Sequence, residues 1–93
     1  MKPRLTHTNL LILHHLLAHG RADDATITRA TGVKSGSLYP IMKRFEEAGW
    51  LSSEGEDGDA RVLGRPLRKF YGLTETGRGE IRLAISRITS NRS

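Results

Sequence analysis

Cysteine is absent from this 93-residue chain, which removes thiol nucleophiles, thiolate zinc sites and disulfides together. A fold this small without such staples depends on packing or on oligomerisation. Long hydrophobic runs are missing too: the longest, Leu10 to Leu13, falls far short of the roughly 20 residues that span a bilayer. Met1-Lys2-Pro3-Arg4 leads into no secretory core segment, so the expectation is a cytoplasmic protein with no membrane partner. No Gly-rich phosphate loop, HExxH sequence or paired-carboxylate motif occurs, so neither a catalytic residue nor a cofactor is expected. Repeats, linkers and low-complexity tracts are also lacking, which leaves one domain over residues 1–93. Acidic residues run short as well. Ten Asp and Glu face 15 Lys and Arg, a formal net charge of +5, and that balance favours a polyanion such as nucleic acid as partner.

What is present is mostly helical pattern. A first helix is predicted over 6–19, with a hydroxyl cap from Thr6-His7-Thr8 and a stop at Gly20. At 100° per residue Leu10, Leu13 and Leu17 make one stripe with Ile12 and Leu16 beside it, while Leu11 and Ala18 fall on the far side. Leu11 reads either as a tolerated surface leucine or as a contact with a second subunit. Asp23 or Asp24 caps a short helix over 24–31 that turns Ile27 and Ala30 inward before Gly32-Val33. A third helix, 35–48, starts from a Ser35 cap, buries Leu38, Ile41, Met42 and Phe45, and stops at Gly49. Pro40 inside it predicts an irregular start near Ser35 to Ser37. Strand formers at Trp50 to Glu54 and Arg68 to Leu73 predict a hairpin over 50–73 with a polar tip from Gly55 to Leu67. Thr74 then caps a C-terminal helix over 75–89, in which Ile81, Ala84, Ile85 and Ile88 share a stripe and Leu83 stands opposite. Residues 91–93 are expected to fray.

Helix, helix, tight turn, helix, two-strand hairpin, helix is the order of a winged helix-turn-helix, a mainly α fold with a small β-hairpin. The third helix takes the place of a recognition helix, presenting Ser37, Tyr39, Lys43 and Arg44 outward, and the hairpin takes the place of the wing. Two blocks then resemble a known family. Residues Ser35-Gly36-Ser37-Leu38-Tyr39-Pro40-Ile41-Met42-Lys43-Arg44-Phe45-Glu46-Glu47-Ala48-Gly49-Trp50-Leu51 resemble a block S-x-G-T-L-Y-P-x-L-x-R-L-E-x-x-G-L-L. Gly64-Arg65-Pro66-Leu67-Arg68-Lys69-Phe70-Tyr71-Gly72-Leu73-Thr74-Glu75-Thr76-Gly77 resembles a block G-R-P-P-R-R-Y-Y-R-L-T-x-x-G. Both belong to the PadR-like transcriptional regulators, they fall in register, and the likeness covers residues 6 to 85. The Leu38-Tyr39-Pro40 tripeptide is its most specific piece.

The resemblance implies a homodimeric repressor that binds double-stranded DNA, with the winged helix in the major groove and the C-terminal helix building much of the dimer interface. Three departures bear on that. Only residues 75–93 follow Thr74, where the family usually continues into a longer helix or a second helical domain, so the dimer is expected to dissociate at low concentration. The wing tip carries Glu54, Glu56, Asp57 and Asp59, which repel phosphate, before Arg61, Arg65, Arg68 and Lys69 restore the charge. Thr28 stands where helix-turn-helix units usually place Ala, at a close helix contact.

The candidate DNA-binding residues are Lys34, Ser35, Ser37, Tyr39, Lys43, Arg44, Arg65, Arg68 and Lys69, with Arg29 a weaker one. Hydroxyls at a helix start suit phosphate, although Ser35 reads equally as a plain cap. For Lys43 and Arg44 the choice between guanine edge and backbone stays open. Gly64 and Pro66 frame Arg65 and favour a presented side chain, against the alternative that Arg65, Arg68 and Lys69 are a solvated strand face. Candidate dimer residues are Leu11, His15, Ile81, Ile85 and Ile88. His15 and His19 are spaced to share a metal on one helix face, but no third ligand follows, so His7, His14, His15 and His19 read as a solvated or interface face and no metal is expected. Nothing in the sequence indicates a small-molecule effector. Two other readings compete with the nucleoid-associated regulator: a winged-helix module that binds protein, and an architectural factor that bends DNA in recombination.

Overall fold

The computed structural model describes residues 2–90, so the three C-terminal residues expected to fray lie outside the described residues. Helix α1 spans His7–His19, strand β1 Ala22–Asp23, helix α2 Asp24–Thr31 and helix α3 Ser35–Glu47. Strand β2 (Leu51–Gly55), a single helical turn α4 (Ala60–Leu63), strand β3 (Lys69–Leu73) and helix α5 (Glu75–Ser90) follow. Among the described residues no helix is long and apolar enough to cross a membrane.

Side-chain oxygens start three of the four longer helices by taking amides that have no partner within the helix. The Thr6 hydroxyl accepts the Asn9 N–H at 3.1 Å, Asp23 accepts Thr26 N–H at 2.9 Å, and Thr74 accepts Gly77 N–H at 3.0 Å. Helix α3 departs from expectation. Ser35 is its first helical residue, and Lys34 stands at the cap position with no side-chain bond. The backbone closes the turn instead: the Lys34 carbonyl accepts both Ser37 N–H (3.0 Å) and Leu38 N–H (2.9 Å). That doubled bond is the tight start that Pro40 foreshadows, since proline brings no N–H to the carbonyl of Gly36.

The core lies where α1, α2, α3 and the sheet meet, around Ile12, Leu13, Leu16, Ile27, Leu38, Met42, Phe45, Tyr71 and Ile81. On α1 the buried set is Asn9, Ile12, Leu13 and Leu16, spaced as one helix face, while Leu10 and Leu17 pack only partly against the core. The predicted stripe is therefore rotated, because a helix that is apolar all round gives periodicity little to choose between. Ala30 is exposed rather than inward: Ile27 alone anchors the two-turn α2, and Val33 beyond the Gly32 turn fills the space that remains. Phe45 and Trp50 stack with ring centroids 5.6 Å apart, fastening the end of α3 to the start of β2.

The sheet has three strands, in the order β1-β3-β2, all antiparallel. Ser53 lies opposite Tyr71 and Gly55 opposite Lys69 in the hairpin, while Ala22 and Asp23 pair with Tyr71 and Phe70 on the other edge of β3. The extra strand β1 ties the turn before α2 to the hairpin. At the hairpin's base a Cβ on Gly77 would collide with the Trp50 carbonyl oxygen, which also accepts Thr74 N–H at 2.9 Å. Only glycine allows α5 to start so close to β2.

Candidate nucleic-acid interface

With Leu38, Met42 and Phe45 packed inward, the opposite side of α3 faces solvent. Lys34, Ser35, Ser37, Tyr39, Lys43 and Arg44 are all exposed there. Among the described residues no ion pair engages Lys34, Lys43 or Arg44. Tyr39 is 53% exposed, but its hydroxyl donates to Asp24 Oδ2 at 3.0 Å, linking α3 to the first turn of α2. That bond to a carboxylate, followed by the carboxylate's charge, raises the Tyr39 pKa, so the phenol stays protonated. The same Asp24 accepts Ala25 N–H through Oδ1 at 2.9 Å, so its two oxygens have separate duties.

The hairpin presents its cations differently. Arg65 forms a bidentate pair with Glu56, Nη1 to Oε1 at 2.6 Å and Nη2 to Oε2 at 2.8 Å. Arg68 Nε lies 3.5 Å from Asp23 Oδ2, and Lys69 Nζ lies 3.5 Å from Glu46 Oε1 and 5.4 Å from the centre of the Tyr71 ring. The Glu56 carboxylate also accepts the Arg68 backbone N–H at 3.0 Å. Bonds from Arg65 and then from that amide hold the Glu56 carboxyl down at about 2. Asp23 is itself only 4% exposed, and the Thr26 hydrogen bond is the main cause of its lowered pKa. Between α3 and β3 lies an open cleft of about 660 Å³, with Tyr39, Pro40 and Lys43 on one wall and Lys69 and Tyr71 on the other.

Of the residues predicted for DNA contact, α3 gathers its set on one exposed face, whereas the hairpin ties each of its three to an acid. Arg65 is the most altered: only 35% of its side chain is accessible, and both ends of its fork are occupied by Glu56. The acids that do this, Asp23, Glu46 and Glu56, were not marked by any local spacing, since their partners come from other elements. The tip between the strands is also more ordered than its polarity suggests. Asp59 caps the α4 turn through Arg61 N–H at 2.9 Å, and Gly64 closes it with φ 69°. Val62 remains 83% exposed there.

The residues predicted for a dimer contact divide as well. Leu11 (40%), Ile85 (41%) and Ile88 (57%) are exposed, and together with His7, Leu10, His14 and Ile81 they line a groove of about 250 Å³ between α1 and α5. Ile81 is fully buried and forms the floor of this groove, because the same side chain completes the core beneath it. His15 lies outside the groove lining. It packs beside His19 with ring centroids 4.7 Å apart, and burial followed by its neighbouring histidines lowers its pKa. Among the described residues no group of three His, Asp or Glu side chains is placed to hold a metal ion.

Three packed helices with a tight turn between α2 and α3, and a hairpin flanking the exposed side of α3, define a winged helix-turn-helix protein. More narrowly, the chain belongs to the transcriptional regulator PadR-like family, which it matches over residues 12–83. Compared with curated proteins it matches none. Among solved structures it is similar to reduced AbfR bound to DNA, at 25% identity and a TM-score of 0.79, covering 96% of this chain and 60% of that one. AbfR comes from Staphylococcus epidermidis. The protein smu.1704 from Streptococcus mutans is also similar, at 25% identity and a TM-score of 0.72, covering 97% of this chain and 85% of that one. A PadR family transcriptional regulator from Eggerthella lenta shares the fold at 23% identity and a TM-score of 0.71, with 88% and 73% covered. The chain thus spans 60% of the length of the AbfR chain it overlays.

Proposed function

We propose that this chain is a sequence-specific, double-stranded-DNA-binding transcriptional repressor that acts as a homodimer at the nucleoid. The observation that carries the reading is the exposed side of α3, where Lys34, Lys43 and Arg44 stand with no carboxylate partner among the described residues. Exposed cations free of ion pairs on a helix of this size suit the major groove, whose width admits one helix and whose phosphates flank it. Ser35 and Ser37 lie in the first turn, where free amides and the positive end of the helix dipole favour phosphate. Arg68 and Lys69 reach the same duplex from the hairpin. The AbfR structure bound to DNA supports the class of partner.

The groove between α1 and α5 supports the twofold. Leu11, Ile85 and Ile88 are large apolar side chains left uncovered along it, and a second copy supplies the same set in return. Two such protomers place their α3 helices about one DNA turn apart, roughly 34 Å, on inverted half-sites. Footprinting on the DNA flanking the protein's own gene tests the reading. A protected inverted repeat, together with a dimer by sedimentation at micromolar protein that Ile85→Asp converts to monomer, is the expected result. Protection of no site, or one protein per site from a strict monomer, contradicts it.

A further inference from the structure

We propose that Asp23, Glu46 and Glu56 are positioning residues for DNA binding: each fixes one cation of the hairpin, so that the wing meets the duplex as a preset surface. This rests on the DNA-binding reading above. Acids beside a polyanion's binding surface ordinarily weaken binding by repulsion. Here their placement argues for another role. The three come from three different places, the turn before α2, the last turn of α3 and the outer end of β2, yet each reaches one of Arg68, Lys69 and Arg65 in that order.

Each carboxylate also has a second bond that holds it in place. Asp23 accepts Thr26 N–H at 2.9 Å, Glu46 accepts the Ser53 hydroxyl at 2.9 Å, and Glu56 accepts Arg68 N–H at 3.0 Å. The cations are thus tied to anchored acids rather than to free ones, which is the condition for an ion pair to set direction. Half of the Arg68 side chain and half of the Lys69 side chain remain accessible, so both are held and still presented. Asp23 and Glu46 join the hairpin to the α2–α3 unit, while Glu56 closes the hairpin on itself through Arg65. Without them, Arg68 and Lys69 are long flexible side chains, and ordering each on binding costs conformational entropy.

The test uses Asp23→Asn, Glu46→Gln and Glu56→Gln, which keep shape and, at position 23, a residue that still caps α2. Each is titrated against a labelled mixed-sequence duplex of about three helical turns. All three variants are expected to bind weaker, by about three- to tenfold, although each gains net positive charge. Glu46→Gln is further expected to cost nothing once Lys69→Ala is present, because the acid acts through that lysine. Tighter or unchanged binding by the single variants overturns the inference. So does an equal loss from Glu46→Gln with and without Lys69, which would mark a contribution to folding alone. A wild-type protein that does not bind the duplex overturns the DNA-binding reading and this inference with it, whereas wild-type binding with tighter variants overturns this inference alone.

Discussion

Helix α3 and the hairpin both carry basic residues, and they carry them in opposite ways. On α3 the exposed Lys34, Lys43 and Arg44 form no ion pair among the described residues, although Glu47 shares their side of the helix. On the hairpin each of Arg65, Arg68 and Lys69 faces a carboxylate of its own chain at 3.5 Å or less. Counting charge along the sequence treats the two regions alike. The structure separates a helix whose exposed cations form no ion pair among the described residues from a hairpin whose cations are held by carboxylates in fixed directions. The acidic residues of the wing, expected to repel phosphate, fall on both sides of this division: Glu56 is paired, whereas Asp57 is exposed.

The largest effect is expected at the joint between the two regions. Gly77→Ala would drive a methyl group into the Trp50 carbonyl, which lies just beyond the end of α3 and at the root of the hairpin. The cost is roughly 3 kcal/mol, read as a drop in the denaturation midpoint, and it should weaken both surfaces together. Lys43→Ala combined with Arg44→Ala comes next. Duplex affinity should fall about tenfold or more with thermal stability unchanged, because neither side chain touches the core.

Tyr39→Phe is a smaller change that sharpens the comparison, since it removes the Asp24 hydrogen bond while leaving the ring in place. About threefold weaker binding is expected, uniform across DNA sequences, on the proposal that Tyr39 serves the DNA backbone rather than a base edge. The smallest effect is a pH response of the hairpin. The Glu56 carboxyl is depressed from 4.5 to about 2 in the folded protein, so its contribution is complete well above the ordinary value, declines as pH falls below 4.5 and is gone once pH has fallen through about 2. Carboxylate resonances followed by NMR should therefore show Glu56 still ionised at pH 3.5, where exposed glutamates are mostly protonated.

Local chemistry made much of this legible in advance. Thr6, Asp23, Thr74, Gly20 and Gly32 act as helix punctuation because caps and left-handed turns depend on the residues next to them. The Leu38, Met42 and Phe45 spacing turned the basic side of α3 outward for the same reason. What stayed hidden is non-local. Ala22-Asp23 has no strand character of its own and becomes β1 only because the edge of β3 is open to it. The pairs Glu46–Lys69 and Asp23–Arg68 join residues far apart in the chain, so no motif announces them. Leu11 shows the intermediate case: its isolation from the main stripe was visible, but the groove it borders needs α5 alongside.

The salt dependence of duplex binding tests the contrast between the two regions most directly. The slope of log affinity against log salt reports how many phosphates the protein's charges neutralise, at about 0.9 per contact on B-form DNA. Two double variants are compared, Lys43→Ala with Arg44→Ala on α3 and Arg68→Ala with Lys69→Ala on the hairpin. The α3 pair should flatten the slope by close to two contacts, and the hairpin pair by clearly less, because Asp23 and Glu46 already offset its charge. Equal flattening by both pairs, or a larger effect from the hairpin, would contradict the account.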